Sequence, residues 1–250
     1  MPNPWDIGST RALAGLGFKA LATTSAGFAW SMGCRDNNIT LQNAIDHLTA
    51  IAAAVDLPIN ADFEGGFAIE PDGVAANVTR AVATGIAGLS IEDSTGNPDN
   101  PLFDLPLAVD RIRAARRAID QAGAGVVLTA RSEGFIAGRP DLSQTIARLT
   151  AYAEAGADCL YAPGIKALPD LAALIKAVAP KPVNVLVHVP FATVAQVADI
   201  GARRISVGGS LARVAWSGFL DAAKEIASSG TFSRFAGTRT GADINALFDR

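Results

Sequence analysis

Eight short apolar runs recur along the 250 residues, and a segment of helical length follows each of them. They are Met1 to Pro4, Lys19 to Thr24, Pro58 to Asp62, Gly88 to Ile91, Val126 to Ala130, Asp158 to Tyr161, Val183 to Val187 and Arg204 to Val207. The connections are too long for hairpins, so neighbouring strands must run parallel, with helices crossing between them. Gly17, Gly85, Gly156 and Gly201 each stand a few residues ahead of a strand, where a helix-ending glycine belongs. Eight such units predict an α/β fold, a (β/α)8 TIM-type barrel, with its active face at the C-terminal ends of the strands. No linker or composition shift divides the chain, so residues 1–250 read as a single domain. Half of the residues are hydrophobic and 18% are charged, which is enough apolar surface for a core of that size.

The helices are expected at these places. Asp6 or Ser9 caps one starting near Thr10, and Ser25-Ala26-Gly27 makes a tight turn with free backbone N–H groups. Further helices run from Thr40 to about Val55, Pro71 to Thr84, Pro106 to Ala122, Leu142 to Ala155, Pro169 to Val178, Thr193 to Ile200, Leu211 to Ser228 and Ala242 to Phe248. Arg111, Arg113, Arg116 and Arg117 read mostly as a solvated or intersubunit face. The stretch from Ser94 to Asp104, rich in Pro, Asn, Asp and Gly, reads as a mobile lid.

Three of the strands end in charge. Pro58 to Asp62 runs into Phe63-Glu64-Gly65-Gly66-Phe67, Gly88 to Ile91 into Glu92-Asp93, and Val126 to Ala130 into Arg131-Ser132-Glu133. Parallel neighbours would gather Asp62, Glu64, Glu92 and Arg131 in one pocket, and hard carboxylate oxygens around a space suit Mg²⁺ or Mn²⁺. The competing reading makes the same acids helix caps or solvated loop residues. Asp93 points away from Glu92 along a strand and reads as structural. His188 at the end of a strand reads as a proton donor or as a structural histidine, and His47 and Cys159 read as structural. A net charge of −3 without a basic stripe excludes nucleic acid as a partner. Cys34 and Cys159 show neither metal nor disulfide spacing, which predicts a reducing, cytoplasmic setting. No run reaches membrane-spanning length, and Met1 to Asp6 lacks the regions of a signal peptide.

The run Asp62-Phe63-Glu64-Gly65-Gly66-Phe67 resembles the D-x-D/E-x-G-Y/F signature of the isocitrate lyase and phosphoenolpyruvate mutase superfamily. Asn3-Pro4-Trp5-Asp6, Ile91-Glu92-Asp93, Arg111-Ile112-Arg113-Ala114, Ala130-Arg131-Ser132-Glu133, Ala153 to Asp158 and Arg203 to Gly208 follow the same family in order. The similarity runs from Asn3 to about Trp216, nearest to carboxyphosphonate-mutase-like and oxaloacetate-decarboxylase-like members. The resemblance implies a modified barrel whose eighth helix is exchanged between subunits of a dimer or tetramer. It implies Mg²⁺ or Mn²⁺ and a small carboxylic acid that passes through a pyruvate-like enolate. Asp62 would be the nearest metal ligand, with Glu64, Glu92 and Asp36 holding the metal's waters. Ser25 and the amides of Ala26 and Gly27 would receive the substrate carboxylate or enolate oxygen. Arg131 would pair with a substrate carboxylate.

Departures from the family pattern narrow the chemistry. Pro98 stands where mutase-type members carry a lysine, and Asn100 where lyases carry a cysteine and mutases an asparagine. Asn100 is therefore the loop residue expected to touch substrate. Pro163 stands where His or Glu is common. The family pattern has an extra helix ahead of the first strand, so either the start here is displaced or the lower barrel mouth is covered differently. Gly208-Gly209-Ser210 is expected to serve tight packing and not phosphate binding. The resulting expectation is a Mg²⁺-dependent carbon–carbon lyase or decarboxylase for a 2-oxo or 2-hydroxy acid. The alternatives are a phosphonopyruvate-type C–P hydrolase or mutase, and a non-catalytic binding protein on a decayed lyase scaffold.

Overall fold

Seven of the eight expected runs form strands in a computed structural model, which describes residues 1–249. They are β1 (Leu21–Ala22), β2 (Ile59–Asp62), β3 (Gly88–Glu92), β4 (Val127–Arg131), β5 (Cys159–Tyr161), β6 (Val183–Leu186) and β7 (Arg204–Ser206). They lie side by side in chain order and every neighbouring pair is parallel. Around them run α1 (Ile7–Gly15), α2 (Ser25–Ser31), α3 (Leu41–Ala53), α4 (Pro71–Val82), α5 (Leu105–Ala122), α6 (Leu142–Glu154), α7 (Leu168–Ala177) and α8 (Val194–Asp199). The sheet is nearly closed, and the architecture is that of a (β/α)8 TIM-type barrel.

The eighth run, Met1 to Pro4, forms no ladder of its own, because prolines at two of its four positions supply no N–H. It still spans the gap between β7 and β1. Met1 N donates to Ile205 O at 2.8 Å, and Ala22 N donates to Pro2 O at 3.1 Å. Asn3 Nδ2 donates to Thr23 O, while Asn3 Oδ1 accepts from Val207 N and Gly208 N. One buried amide thus joins the first and last strands.

Side chains alternate across each strand. Leu89, Ile91, Leu128, Ala130, Leu160, Val183 and Val185 are buried and belong to the main apolar core with Leu48, Ile51, Val78, Ile112, Leu149 and Leu174 of the helices. The opposite parity faces the barrel interior and is polar: Asn60, Ser90, Thr129, Asn184 and Arg204, with Asp62, Glu92 and Arg131 one layer nearer the C-terminal rim.

Three expectations change. Ser25-Ala26-Gly27 is the first turn of α2 and not a loop, because Thr24 caps it by accepting from Gly27 N. Arg111 is no solvated residue: it is 1% exposed and donates to Glu92 O, Gly65 O and Ala68 O, with its guanidinium 4.1 Å from the centre of the Phe103 ring. The stretch 94–104 is folded as a small hairpin. Ser94 bridges Leu102, Thr95 N donates to Pro101 O and Phe103 N to Asp93 O.

The last long helix, α9 (Ser210–Ser229), leaves the barrel with only Ala212 buried. A short α10 (Gly241–Asn245) follows, and Leu247 and Phe248 then meet Arg11, Val55 and Leu57 beside the lower rim. Among the described residues no helix is long and apolar enough to cross a membrane. Arg111 ties the loop after β2 to the end of β3, so Arg111→Met would leave three buried carbonyls without a charged donor. We expect a loss of about 2–4 kcal/mol, since a hydrogen bond to a charged group is worth roughly 1.5–3 kcal/mol. Urea unfolding of the two proteins checks it, and an unchanged midpoint would show that the arginine is dispensable.

Candidate active site

Parallel register sets the site. Asp62 pairs with Ser90, Glu92 with Arg131, and Arg131 with Tyr161, so the charged strand ends meet at one level. They line a cavity of about 240 Å³ at the C-terminal mouth, together with Ser25, Ala26, Asp36, Glu133, Asn184 and Arg204. Glu64 lies just outside it, in an adjoining cleft that shares Asn37, Glu92 and Ser94 as a wall.

Arg131 is the hub. Its Nε and Nη2 hold the two oxygens of Glu133 in a fork, and its Nη1 lies 3.3 Å from Asp62 Oδ1 and 3.2 Å from Glu92 Oε2. The face of Tyr161 lies beside the guanidinium, 5.3 Å from ring centre to Cζ. Asp62 Oδ2 accepts from both Ser25 N at 3.1 Å and Ser25 Oγ at 3.0 Å. Gly27 N is taken by the Thr24 cap, so of the two amides expected to receive an anion only that of Ala26 faces the cavity without a protein partner among the described residues. Gly27 has a packing role instead. A Cβ there would stand 2.9 Å from Trp5 Cβ and 3.2 Å from Ala212 Cβ. Gly209 likewise packs on Trp30, as expected of a structural glycine.

Carboxylates outnumber cations here. Asp36, Asp62, Glu64, Glu92 and Glu133 surround Arg131 and Arg204. Burial drives the Glu64 carboxyl up to about 8, helped by Asp62 and Asp36 and opposed by Arg131. Glu64 Oε1 is buried with no hydrogen-bond partner among the described residues. Its backbone sits at φ +48, a left-handed conformation that a non-glycine residue adopts at a cost of about 1–3 kcal/mol and that clusters at functional sites. Burial also raises Glu92 well above the usual range, with Arg131 opposing and Glu133 adding. Asp36 lies at the rim, raised by partial desolvation and by Asp62. Repelling carboxyls with an orphaned buried oxygen are the donor set that a hard divalent cation would satisfy. Among the described residues no three His, Cys, Asp or Glu side chains form a ready-made cage.

Asn100 is not brought to this cavity. It lies exposed on the hairpin, its carbonyl accepting from Thr95 Oγ1. His188 follows β6, uses its carbonyl to hold Ser210 and Arg213, and does not line the cavity. His47 stacks on Phe28 with ring centres 3.8 Å apart and is held neutral by burial, down to about 4. Asp93 is structural. Its Oδ1 accepts from Glu133 N and its Oδ2 from Tyr152 Oη and Arg148 Nη1. Two charged cavity residues were not singled out from the sequence, Glu133 and Arg204. Glu133 stands two residues after Arg131, a same-side spacing that could have revealed it. Arg204 carried only the signal of a charge inside a strand.

Several known proteins share this architecture. A family model described as phosphoenolpyruvate phosphomutase matches residues 1–227. The crystal structure of a candidate lyase/mutase from Burkholderia cenocepacia J2315 is 45% identical, covers 100% of this chain and 91% of its own, and superposes with a TM-score of 0.96. The structure of 2,3-dimethylmalate lyase, a PEP mutase/isocitrate lyase superfamily member, is 26% identical over 99% of this chain and 88% of its own, with a TM-score of 0.86. The 2-methylisocitrate lyase of Escherichia coli K12 is 32% identical over 160 residues, which span 61% of this chain and 53% of that enzyme.

A pH prediction follows from Glu64. Its carboxyl rises from an ordinary 4.5 to about 8 on folding. Between those values the folded chain binds the proton and the unfolded chain does not, so stability is highest below the window and falls as pH rises through it. Metal-free protein should therefore unfold at lower urea near pH 8 than near pH 5, and Glu64→Gln should flatten the difference. An equal slope in both proteins would place the titration elsewhere.

Proposed function

The chain belongs to the phosphoenolpyruvate phosphomutase family and is an enzyme of the lyase type found in its superfamily; from this premise we propose a Mg²⁺- or Mn²⁺-dependent carbon–carbon lyase or decarboxylase of small 2-oxo or 2-hydroxy carboxylic acids, acting through a pyruvate-like enolate. The observation that supports it most is the surplus of carboxylate at the strand ends, five groups around two guanidiniums.

Asp62 would hold the cation directly, and Glu64, Glu92 and Asp36 would hold its waters. When bound, the cation supplies Lewis-acid polarisation of a 2-oxo or 2-hydroxy oxygen as negative charge develops on it. The chain's own groups do the rest. The Ala26 amide is a donor at the cavity edge for a carboxylate or enolate oxygen, the Ser25 hydroxyl would join it by turning from Asp62 Oδ2, and Gly27 supports the turn that carries them. A preorganised donor of this kind is worth roughly 3–4 kcal/mol to a developing oxyanion. Arg131 is steered by Glu133 and Tyr161, which leaves Nη1 as the edge that meets a substrate carboxylate. Asn100 would reach the substrate only by movement of the hairpin about Asp93 and Phe103, and the loop carries no His, Cys, Lys or Tyr, so the proton donor lies elsewhere. The two free thiols fit a cytoplasmic setting.

Wild-type protein should be stabilised against heat by Mg²⁺ plus oxalate, an enolate mimic, and Asp62→Ala should lose that response. Pyruvate release from a panel of 2-oxo and 2-hydroxy diacids then identifies the substrate. A wild-type protein indifferent to Mg²⁺ and oxalate would favour the decayed-scaffold reading instead.

We further propose a homo-oligomer, a dimer or tetramer, in which α9 is exchanged. Val214, Phe219, Leu220 and Ile226 of that helix are exposed. An apolar groove of about 800 Å³ lies open on the barrel, lined by Leu13, Leu16, Phe18, Val194, Ala198 and Leu211. Large apolar side chains exposed together on one helix suit an interaction surface. Light scattering at micromolar concentration should give a multiple of the single-chain mass, and Phe219→Asp with Leu220→Asp should shift it towards one chain. A monomeric wild type refutes the exchange.

A further inference from the structure

Arg204 stands on β7 in the polar layer beneath the charged rim, and its contacts are unusual for a buried guanidinium. Nε donates to Asn184 Oδ1 at 3.1 Å, and Nη1 donates to Asn60 Oδ1 at 3.0 Å and Thr129 Oγ1 at 3.1 Å. All three acceptors are neutral. Among the described residues Arg204 makes no ion pair, while Arg131 is contacted by three carboxylates. Nη2 of Arg204 makes no hydrogen bond among the described residues and is not sealed from the cavity, which Arg204 lines with Asn60, Ser90, Asn184 and Ser206.

A desolvated cation without a counter-charge is costly, and chains retain one chiefly where an anion completes it. A strut between neutral acceptors needs donors but no charge, and a neutral amide could serve two of the three oxygens. Desolvation lowers the Arg204 pKa, as expected for a guanidinium whose partner is missing. Arg131 does not fill the same role, because its Nε and Nη2 are committed to Glu133 and only Nη1 points at the cavity. That edge already faces Asp62 and Glu92 and can take at most one further carboxylate at the rim. A second carboxylate needs a second donor, and the floor of the cavity provides it.

We propose that Arg204 is a specificity-determining residue that receives the distal carboxylate of a dicarboxylic substrate at the barrel floor. The assignment rests on the lyase reading above and deepens it. Asn60, Thr129 and Asn184, from three different strands, fix the guanidinium plane and leave Nη2 without a protein partner among the described residues, and Ser206 and Ser90 line the same cavity. Discrimination then comes from leaving the buried cation unpaired when a monocarboxylate binds, a loss larger than that of one surface ion pair.

The test uses lactate and malate, which differ by one terminal carboxylate. Titration calorimetry with Mg²⁺ in excess gives both affinities. Wild-type protein should bind malate at least about tenfold more tightly than lactate, a difference of roughly 1.4 kcal/mol. Arg204→Gln should shrink the gap to about threefold or less while lactate and Mg²⁺ binding stay near wild type, and Arg204→Lys should restore part of it. A wild-type gap below about threefold overturns the proposal whatever the variants do. So does a full gap in Arg204→Gln with Mg²⁺ binding intact, and in that case the lyase reading survives. Absence of any Mg²⁺-dependent binding of either acid to wild-type protein overturns both.

Discussion

Like charges forced together at the ends of parallel strands govern this molecule. The barrel topology leaves no freedom in the matter, because the register that pairs Glu92 with Arg131 also brings Asp62 and Glu133 to the same guanidinium. In a partly desolvated cavity such a set cannot remain fully ionised by itself. The chain meets that problem in three ways. Arg131 neutralises part of the charge, Glu64 and Glu92 are biased towards the protonated form, and the residual carboxylate is arranged where a hard cation can gather it. On the proposed metal-dependent reading, stability would be exchanged for affinity towards ion and substrate, the usual relation between strained sites and function.

A second set of buried groups keeps that arrangement in place. Arg148 and Tyr152 of α6 hold Asp93, and Asp93 accepts the amide of Glu133, so the outer helix fixes the acid that steers Arg131. Arg148 also donates to Phe103 O, which closes the base of the hairpin. Arg111 performs the corresponding service for the loop after β2. Both arginines come from helices, and both replace solvent at loop carbonyls that would otherwise be buried without donors.

The barrel was legible because the strand–helix alternation repeats, and repetition survives errors at single boundaries. The acidic rim was legible because Asp62, Glu64 and Glu92 each follow an apolar run, and the topology then implies convergence. Other features were hidden for identifiable reasons. Arg111 lies on a helix among Arg113, Arg116 and Arg117, so composition suggested solvent, whereas only the three-dimensional position of the Gly65 to Ala68 carbonyls gives it a buried partner. The first turn of α2 read as a tight turn because Gly27 is a weak helix former, which the Thr24 cap overrides. The Met1 to Pro4 segment has the position of a strand but lacks the donors of one. Arg204 was invisible as a functional group because the partners of its guanidinium lie 20, 75 and 144 residues away in sequence.

Gly27 sits where α2, Trp5 and the root of α9 touch, with room for a hydrogen and no more. Ala212 presses on it from a helix of 20 residues, a rod about 30 Å long. Mechanically this is a lever with its short arm resting on the turn that carries Ser25 and Ala26. Whatever grips the long arm sets the pressure on that fulcrum. In the proposed oligomer, quaternary contacts and site geometry would meet at one methyl group, and even Ala212→Gly would separate them by loosening the bearing while leaving every charged residue untouched.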